Sequence, residues 1–290
     1  MARAQQPGLH SYTIDAGGIR VFPRIESTPA PYARPVTNER SPFHLPELDQ
    51  ILGGGPNVGT TSLLAGAPGV GKTTLGLHWA LAQAEAEKIS LFITFVEQPE
   101  QLARKAAAFG LDLQSAIDQG TVRVIRIAPA DLNPDQVATI LLAELASPNV
   151  QRLVIDDISI LLNELGDRTR DYLSALNDIV YSTHTTALYL LEITPFEGLR
   201  VNLTNTPLAV LGDNVIVVQQ YEIDGVLRRL LAVIRMRLSF FDRTLRELIM
   251  DEGGIRILRP EESTRETLTA GAQLSGGVAP KDSDSPAGNA

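Results

Sequence analysis

Between residues 66 and 73 the chain reads Gly66-Ala67-Pro68-Gly69-Val70-Gly71-Lys72-Thr73, with Thr74 following. Three glycines and a proline within six residues exclude both helix and regular strand for that stretch. Residues 61–65, ahead of it, are strand-like and mostly apolar. Residues 72–87, after it, carry a helical pattern with Leu75, Trp79 and Ala82 on one face. The chain is thus committed to strand, glycine-rich loop and helix in immediate succession. That is the context in which G-x-x-x-x-G-K-[ST] binds phosphate. The glycines let successive backbone N–H groups turn inward, and the start of the helix adds its positive end. Lys72 supplies a mobile cation to the outer phosphates, and the Thr73 hydroxyl is the expected Mg²⁺ ligand. Gly66 through Thr74 are therefore the expected nucleotide-binding residues.

The rest of the chain extends this local commitment into a fold. Strand-like runs at residues 89–96, 122–127, 153–158 and 187–193 alternate with helical patterns at 99–109, 135–145 and 168–183. Alternation at this spacing predicts an α/β fold with a mostly parallel central sheet flanked by helices. After Pro195 the character changes. Residues 214–220 and 226–237 are separated by Asp224-Gly225, and 245–250 and 255–258 flank Gly253-Gly254. These hairpin signals predict antiparallel strands added at the C-terminal end of the fold. Leu153-Val154-Ile155-Asp156 places an acid at the carboxyl end of a buried strand, where a metal beside Thr73 would need its anionic anchor. Asp157 reads as a helix-entry residue or one acting at one remove from the metal.

Composition narrows the function classes. The 290 residues, 44% hydrophobic and 20% charged, can bury a substantial core and are ordinary for a globular protein. No cysteine is present, which excludes disulfides and thiolate chemistry, and His10, His44, His78 and His184 are too scattered for a metal site. No apolar run approaches the roughly 18 residues of a membrane span, and residues 1–8 lack the apolar core of a secretory leader, so a cytoplasmic protein is expected. A net charge of −9 weighs against a nucleic-acid partner. Three regions are expected: an N-terminal extension (1–40) holding one short hairpin at 11–24, an α/β domain (41–260), and a disordered tail (261–290) too poor in apolar residues to order itself. The termini are candidate sites for a protein partner. One echo links the two ends: Ile14-Asp15-Ala16-Gly17-Gly18-Ile19-Arg20-Val21 is similar to Met250-Asp251-Glu252-Gly253-Gly254-Ile255-Arg256-Ile257. It is either the common look of a Gly-Gly hairpin or the remnant of a preceding, similar domain.

Several separated blocks carry a specific resemblance. Phe43-His44-Leu45-Pro46-Glu47-Leu48-Asp49-Gln50-Ile51-Leu52-Gly53-Gly54-Gly55 opens the domain. Phe92-Ile93-Thr94-Phe95-Val96-Glu97-Gln98-Pro99 covers the second strand, and Arg235-Met236-Arg237, Ser239 and Asp242-Arg243-Thr244-Leu245-Arg246-Glu247 lie late in the chain. With the phosphate loop they resemble the KaiC-like branch of the RecA/RadA superfamily over about residues 41–258, as one domain. The resemblance implies a RecA-like P-loop fold, ATP and Mg²⁺ as ligands, and a homo-oligomer, typically a hexameric ring, with nucleotide between neighbours. It also implies that Arg237, and Arg235 where a lysine is usual, enter the adjacent subunit's phosphate site. Departures accompany it. Val96 stands where a glutamate usually polarises the attacking water, and valine can neither accept a proton nor orient water. Glu97 keeps the second glutamate, which strand alternation would turn to the opposite face. Leu238 and Phe241 replace a glycine and a polar residue. The implied function is an ATP-binding oligomeric ATPase of low turnover, acting as a switch or timer. Its catalytic residues would be Lys72, Glu97, Arg237 and Arg235, with metal on Thr73 and Asp156. The alternatives are a non-catalytic nucleotide-dependent ring scaffold and, less favoured, a DNA-repair or recombination ATPase. The last would need basic loops, yet residues 194–213 hold Arg200 as their sole cation.

Overall fold

β3 (Thr61–Gly66) is buried at every residue, because it lies in the middle of a sheet covered on both faces. The computed structural model describes residues 8–27, 37–82, 87–193, 212–223 and 225–259. Nine strands form one sheet in the order β11-β10-β9-β8-β3-β7-β6-β4-β5. The parallel part is β3, β4 (Ile89–Thr94), β5 (Val122–Arg126), β6 (Val150–Asp156), β7 (Thr186–Glu192) and β8 (Asn214–Ile223). β9 (Val226–Met236), β10 (Arg246–Asp251) and β11 (Gly254–Leu258) continue it antiparallel. The expected α/β architecture, parallel core with antiparallel strands added at the C-terminal end, is the one observed.

Strand alternation divides the core in two. Leu63, Ala65, Leu91, Ile93, Leu153 and Ile155 point to one face, where α5 (Pro134–Leu145), α6 (Ile158–Leu165) and α7 (Thr169–Thr183) cover them. Leu64, Phe92 and Val154 point to the other, under α1 (Pro46–Ile51), α2 (Lys72–Leu81), α3 (Pro99–Ala107) and α4 (Leu113–Asp118). On that second side the fully buried Arg152 donates to Ser41 Oγ (3.0 Å), the Pro42 carbonyl (3.0 Å) and the Trp79 carbonyl, and stacks on the Trp79 ring at 4.7 Å. It thereby ties residues 41–42 to α2.

The described part of the N-terminal segment is fastened to the α/β domain. β1 (Ser11–Asp15) and β2 (Gly18–Phe22) form a separate hairpin. Phe22 is buried, and Ile25, in a following 3-10 turn (Ile25–Ser27), belongs to the core under α7. Arg168 joins this turn to α5 through Glu26 (2.9 Å) and Asp135 (2.6 Å).

Two local expectations need correction, and two helices had no counterpart in the sequence reading. The strand expected at 153–158 ends at Asp156, and Ile158 starts α6 instead. The run 158–162, apolar except for Ser159, suits either structure, and Asp157 decides it: its carboxylate accepts from the Ser159 N–H (2.9 Å) and caps a helix. α1 and α4 are short helices that the periodicity did not reveal. The strand expected to reach Val96 stops at Thr94, after which the chain bends. The expected tail (261–290) and most of the 194–213 segment lie outside the described residues. Among the described residues, no helix is long and apolar enough to cross a membrane.

Candidate functional site

The phosphate loop joins the end of β3 to the start of α2. Gly69 and Gly71 hold φ of 78° and 100°, a region that disfavours any side chain. Contacts also exclude side chains here: a Cβ on Gly66 would come within 2.5 Å of the Val218 carbonyl oxygen, and one on Gly71 would overlap Met250 Sδ. The loop's curvature is thus set by its glycines and held from outside by β8 and β10.

Lys72, only 8% exposed, donates from Nζ to the Gly66 and Ala67 carbonyls (2.9 and 3.0 Å), so its ammonium sits inside the loop's curve. Burial lowers its pKa, and the opposing pull comes from Asp157, Glu192 and Asp156. The Thr73 hydroxyl, in the first turn of α2, lies close enough to the Asp156 carboxyl at the end of β6 to favour its charged form. Burial is the main cause that pushes the Asp156 carboxyl up to about 6; the Thr73 hydroxyl works against it, while the Asp157 and Glu97 charges add to it. Thr74 is buried on the inner side of α2. A hydroxyl and a carboxyl side by side, near a buried lysine, fit a divalent cation that keeps most of its waters and takes phosphate oxygens for the rest.

Glu97 does not lie where strand alternation put it. The bend after Thr94, closed by a bond from Glu97 N–H to Thr94 Oγ1 (3.3 Å), cancels the period of two. Glu97 turns back far enough for its charge to act on Asp156. One carboxylate oxygen is paired with Lys105 of α3, and Oε2 is buried with no hydrogen-bond partner among the described residues. Val96 instead stands 60% exposed.

Arg235 and Arg237 lie at the other end of the sheet. Met236 is opposite Asn214, and Asn214 is opposite Ser62, four residues before Gly66. At about 3.3 Å per residue this end is roughly 13 Å from the chain's own phosphate loop. There Arg237 pairs with Asp213 (3.3 Å) on the surface, and Arg235 donates to the Gly212 carbonyl. The structure therefore brings together Lys72, Thr73, Asp156 and Glu97, and keeps both arginines apart from them.

Lys105, Glu192 and Met250 were missed by sequence reasoning. Lys105 stands eight residues after Glu97, and a turn followed by two helical turns would have suggested that pair. Glu192 ends the strand neighbouring β3 and carries no motif. Met250 reaches the loop from the C-terminal hairpin, a contact visible only in three dimensions.

A family model described as "ATPase: KaiC" matches residues 42–262. Among characterised proteins, the chain is similar to the circadian clock oscillator protein KaiC of Parathermosynechococcus lividus, 26% identical over 254 residues, which cover 86% of this chain and 46% of that protein. The corresponding protein of Thermostichus vulcanus is 25% identical over 251 residues (86% and 48%), and that of Synechococcus elongatus 24% over 248 (85% and 47%). The chain spans about half the length of these relatives.

Proposed function

The chain belongs to the KaiC ATPase family, and from that premise we propose that it binds ATP with Mg²⁺ and hydrolyses it slowly as a cytoplasmic homo-oligomer, serving as a nucleotide-driven switch or timer. The observation that carries the reading is the buried Lys72 ammonium inside a glycine-held loop, with Thr73 and Asp156 beside it. Residues 41–260 would be the ATPase unit, with 1–40 and 261–290 as appendages open to a protein partner.

ATP·Mg²⁺ would supply the electrophilic phosphorus and its charge-neutralising metal. Every other part belongs to this chain. The loop amides and Lys72 hold the phosphates, and Thr73 and Asp156 hold the metal. Glu97, through its unpartnered Oε2, accepts a hydrogen bond from the attacking water and orients it. Arg237, with Arg235 beside it, neutralises charge developing in the neighbouring subunit's site, in keeping with their remoteness from their own loop. A hexameric ring is the assembly this arrangement suits.

Single-turnover phosphate release at saturating ATP tests the chemistry. Wild type should show a measurable rate that Glu97→Gln lowers at least about 100-fold, a typical loss for a positioned base. Lys72→Ala should lose nucleotide binding by calorimetry. Absence of any nucleotide binding by the wild type would overturn the reading. A second reading, a ring scaffold that binds nucleotide without turnover, is favoured by the pairing of Glu97 with Lys105 and by Val96 at the neighbouring position. Tight binding with no phosphate release would select it.

A further inference from the structure

Four carboxyl groups surround the phosphate loop: Glu97, Asp156, Asp157 and Glu192. Among the described residues only Glu97 forms an ion pair, with Lys105 Nζ on its Oε1, while its Oε2 is buried and unpartnered. Lys105 lies in the last turn of α3, beside buried Ala106. Side chains on a helix lean toward its N-terminus, so the long lysine stem runs back along α3 to the bend that carries Glu97. The Lys105 charge is felt at Asp156 as well, which makes it a second lysine of the site.

Glu97 does not depend on Lys105 for its place. The bend after β4 is closed by the Glu97 N–H on Thr94 Oγ1 (3.3 Å) and is tied to β5 by Arg126 Nε on the Val96 carbonyl (3.4 Å). Gln98 N–H donates to Gln101 Oε1 (2.8 Å), which fixes the start of α3 against the same bend. Leu102 and Ala106 then anchor that helix in the core. The lysine therefore adds charge to a carboxylate that backbone bonds already hold. An ammonium ion stabilises the ionised carboxylate and lowers its proton affinity. The pull of a general base on water follows that affinity, so the paired group is the weaker acceptor. Val96, at the neighbouring position, supplies no second acceptor to make up the loss.

We propose that Lys105 is a brake on hydrolysis: by pairing with Oε1 it weakens Glu97 as the acceptor for the attacking water and sets the turnover low. In the reaction the water oxygen forms its bond to the γ-phosphorus as the bond from that phosphorus to ADP breaks, its electron pair staying on ADP. The water proton passes to Glu97 Oε2 and from there to solvent. Lys105 touches none of the reacting atoms; it is a positioning residue that acts through Glu97. The pair is partly open, with 36% of the lysine and 28% of the glutamate side chain exposed, so it can part without disturbing the core. This inference rests on the assignment of Glu97 to the attacking water and adds what limits its rate.

The test uses the full chain and the variants Lys105→Met and Lys105→Gln, which keep much of the stem and remove the charge. Lys105→Arg restores the charge, and Glu97→Gln is made alone and combined with Lys105→Met. Phosphate release in a single turnover at saturating ATP·Mg²⁺ gives the rate, and calorimetry gives nucleotide affinity. Both neutral variants are expected to release phosphate at least about fivefold faster than wild type, a part of what a positioned base contributes, with affinity unchanged within about twofold. Lys105→Arg should stay near the wild-type rate. The double variant should be as slow as Glu97→Gln alone, because the gain acts through that carboxylate. A wild type that releases no phosphate until Lys105 is neutralised shows the brake at its limit. Neutral variants no faster than wild type overturn the proposal, as does a gain that survives in the double variant; with Glu97→Gln slow, the role of Glu97 still stands. Glu97→Gln as fast as wild type, or no release from wild type and neutral variants alike, overturns both.

Discussion

Asp156 closes β6 with a carboxyl whose pKa is pushed from 3.8 to about 6, chiefly by burial. The folded protein therefore holds that proton more tightly than the unfolded chain does. The resulting stabilisation is complete below pH 3.8 and is lost as pH rises through about 6, so at pH 7 the ionised group is a net cost. At ~1.4 kcal/mol per unit, discounted for partial solvent access, the cost is roughly 1–3 kcal/mol. Asp156→Asn should accordingly raise the ligand-free melting temperature at pH 7, with the gain fading by pH 5, while nucleotide affinity loses its dependence on Mg²⁺. Thermal melts at both pH values and calorimetry with and without the metal check this. A variant that melts lower at pH 7 would contradict the burial argument. At Gly71, two penalties meet: a φ of 100° and the overlap a Cβ would make with Met250. Gly71→Ala should destabilise by about 1–3 kcal/mol, and adding Met250→Ala should recover the overlap part alone. Denaturant titration of the two singles and the double separates the terms.

At the scale of elements, one arginine adds an ionic tie between the turn after the N-terminal hairpin and the helical layer, beside buried Phe22 and Ile25 and the Ser11 bonds. Asp135 is 5% exposed in its side chain and Glu26 19%, and Arg168 is bonded to both. Arg168→Ala would leave a buried carboxylate without that cation, at a cost of about 3–5 kcal/mol. Exchange at residues 11–27 should then accelerate more than exchange in β3 or β6. Equal acceleration everywhere would mean that the segment is no separate unit. Much at this level was legible: β3, the loop, α2, α5 and the late hairpins all follow from period and turn chemistry. The exceptions share a cause. Residues 158–162 are apolar enough for strand or helix, and the cap at Asp157 settles the choice through a single hydrogen bond. The end of β4 is set where β5 and β6 run out of partners for it, at Thr94.

Over the whole molecule, the separation of Arg237 from its own phosphate loop invites a complementation experiment. Lys72→Ala removes the loop cation and keeps the arginine; Arg237→Ala does the reverse. If Arg237 serves a neighbour's site, a mixture of the two inactive variants forms some junctions with both groups intact. Such a mixture should recover on the order of a quarter of wild-type phosphate release, as random pairing in a head-to-tail assembly requires. No recovery, in an assembly shown to be mixed, would place Arg237 outside the chemistry.

The amino-acid sequence by itself determined the phosphate loop, the alternation that makes a parallel sheet, and the acid at the end of β6. Each rests on neighbours within a few residues, where backbone sterics and hydrophobic period act directly. Tertiary structure alone decided which way Glu97 turns and how far the arginines stand from Lys72. Those outcomes depend on where strands stop pairing and which surfaces meet, and packing among distant segments sets both.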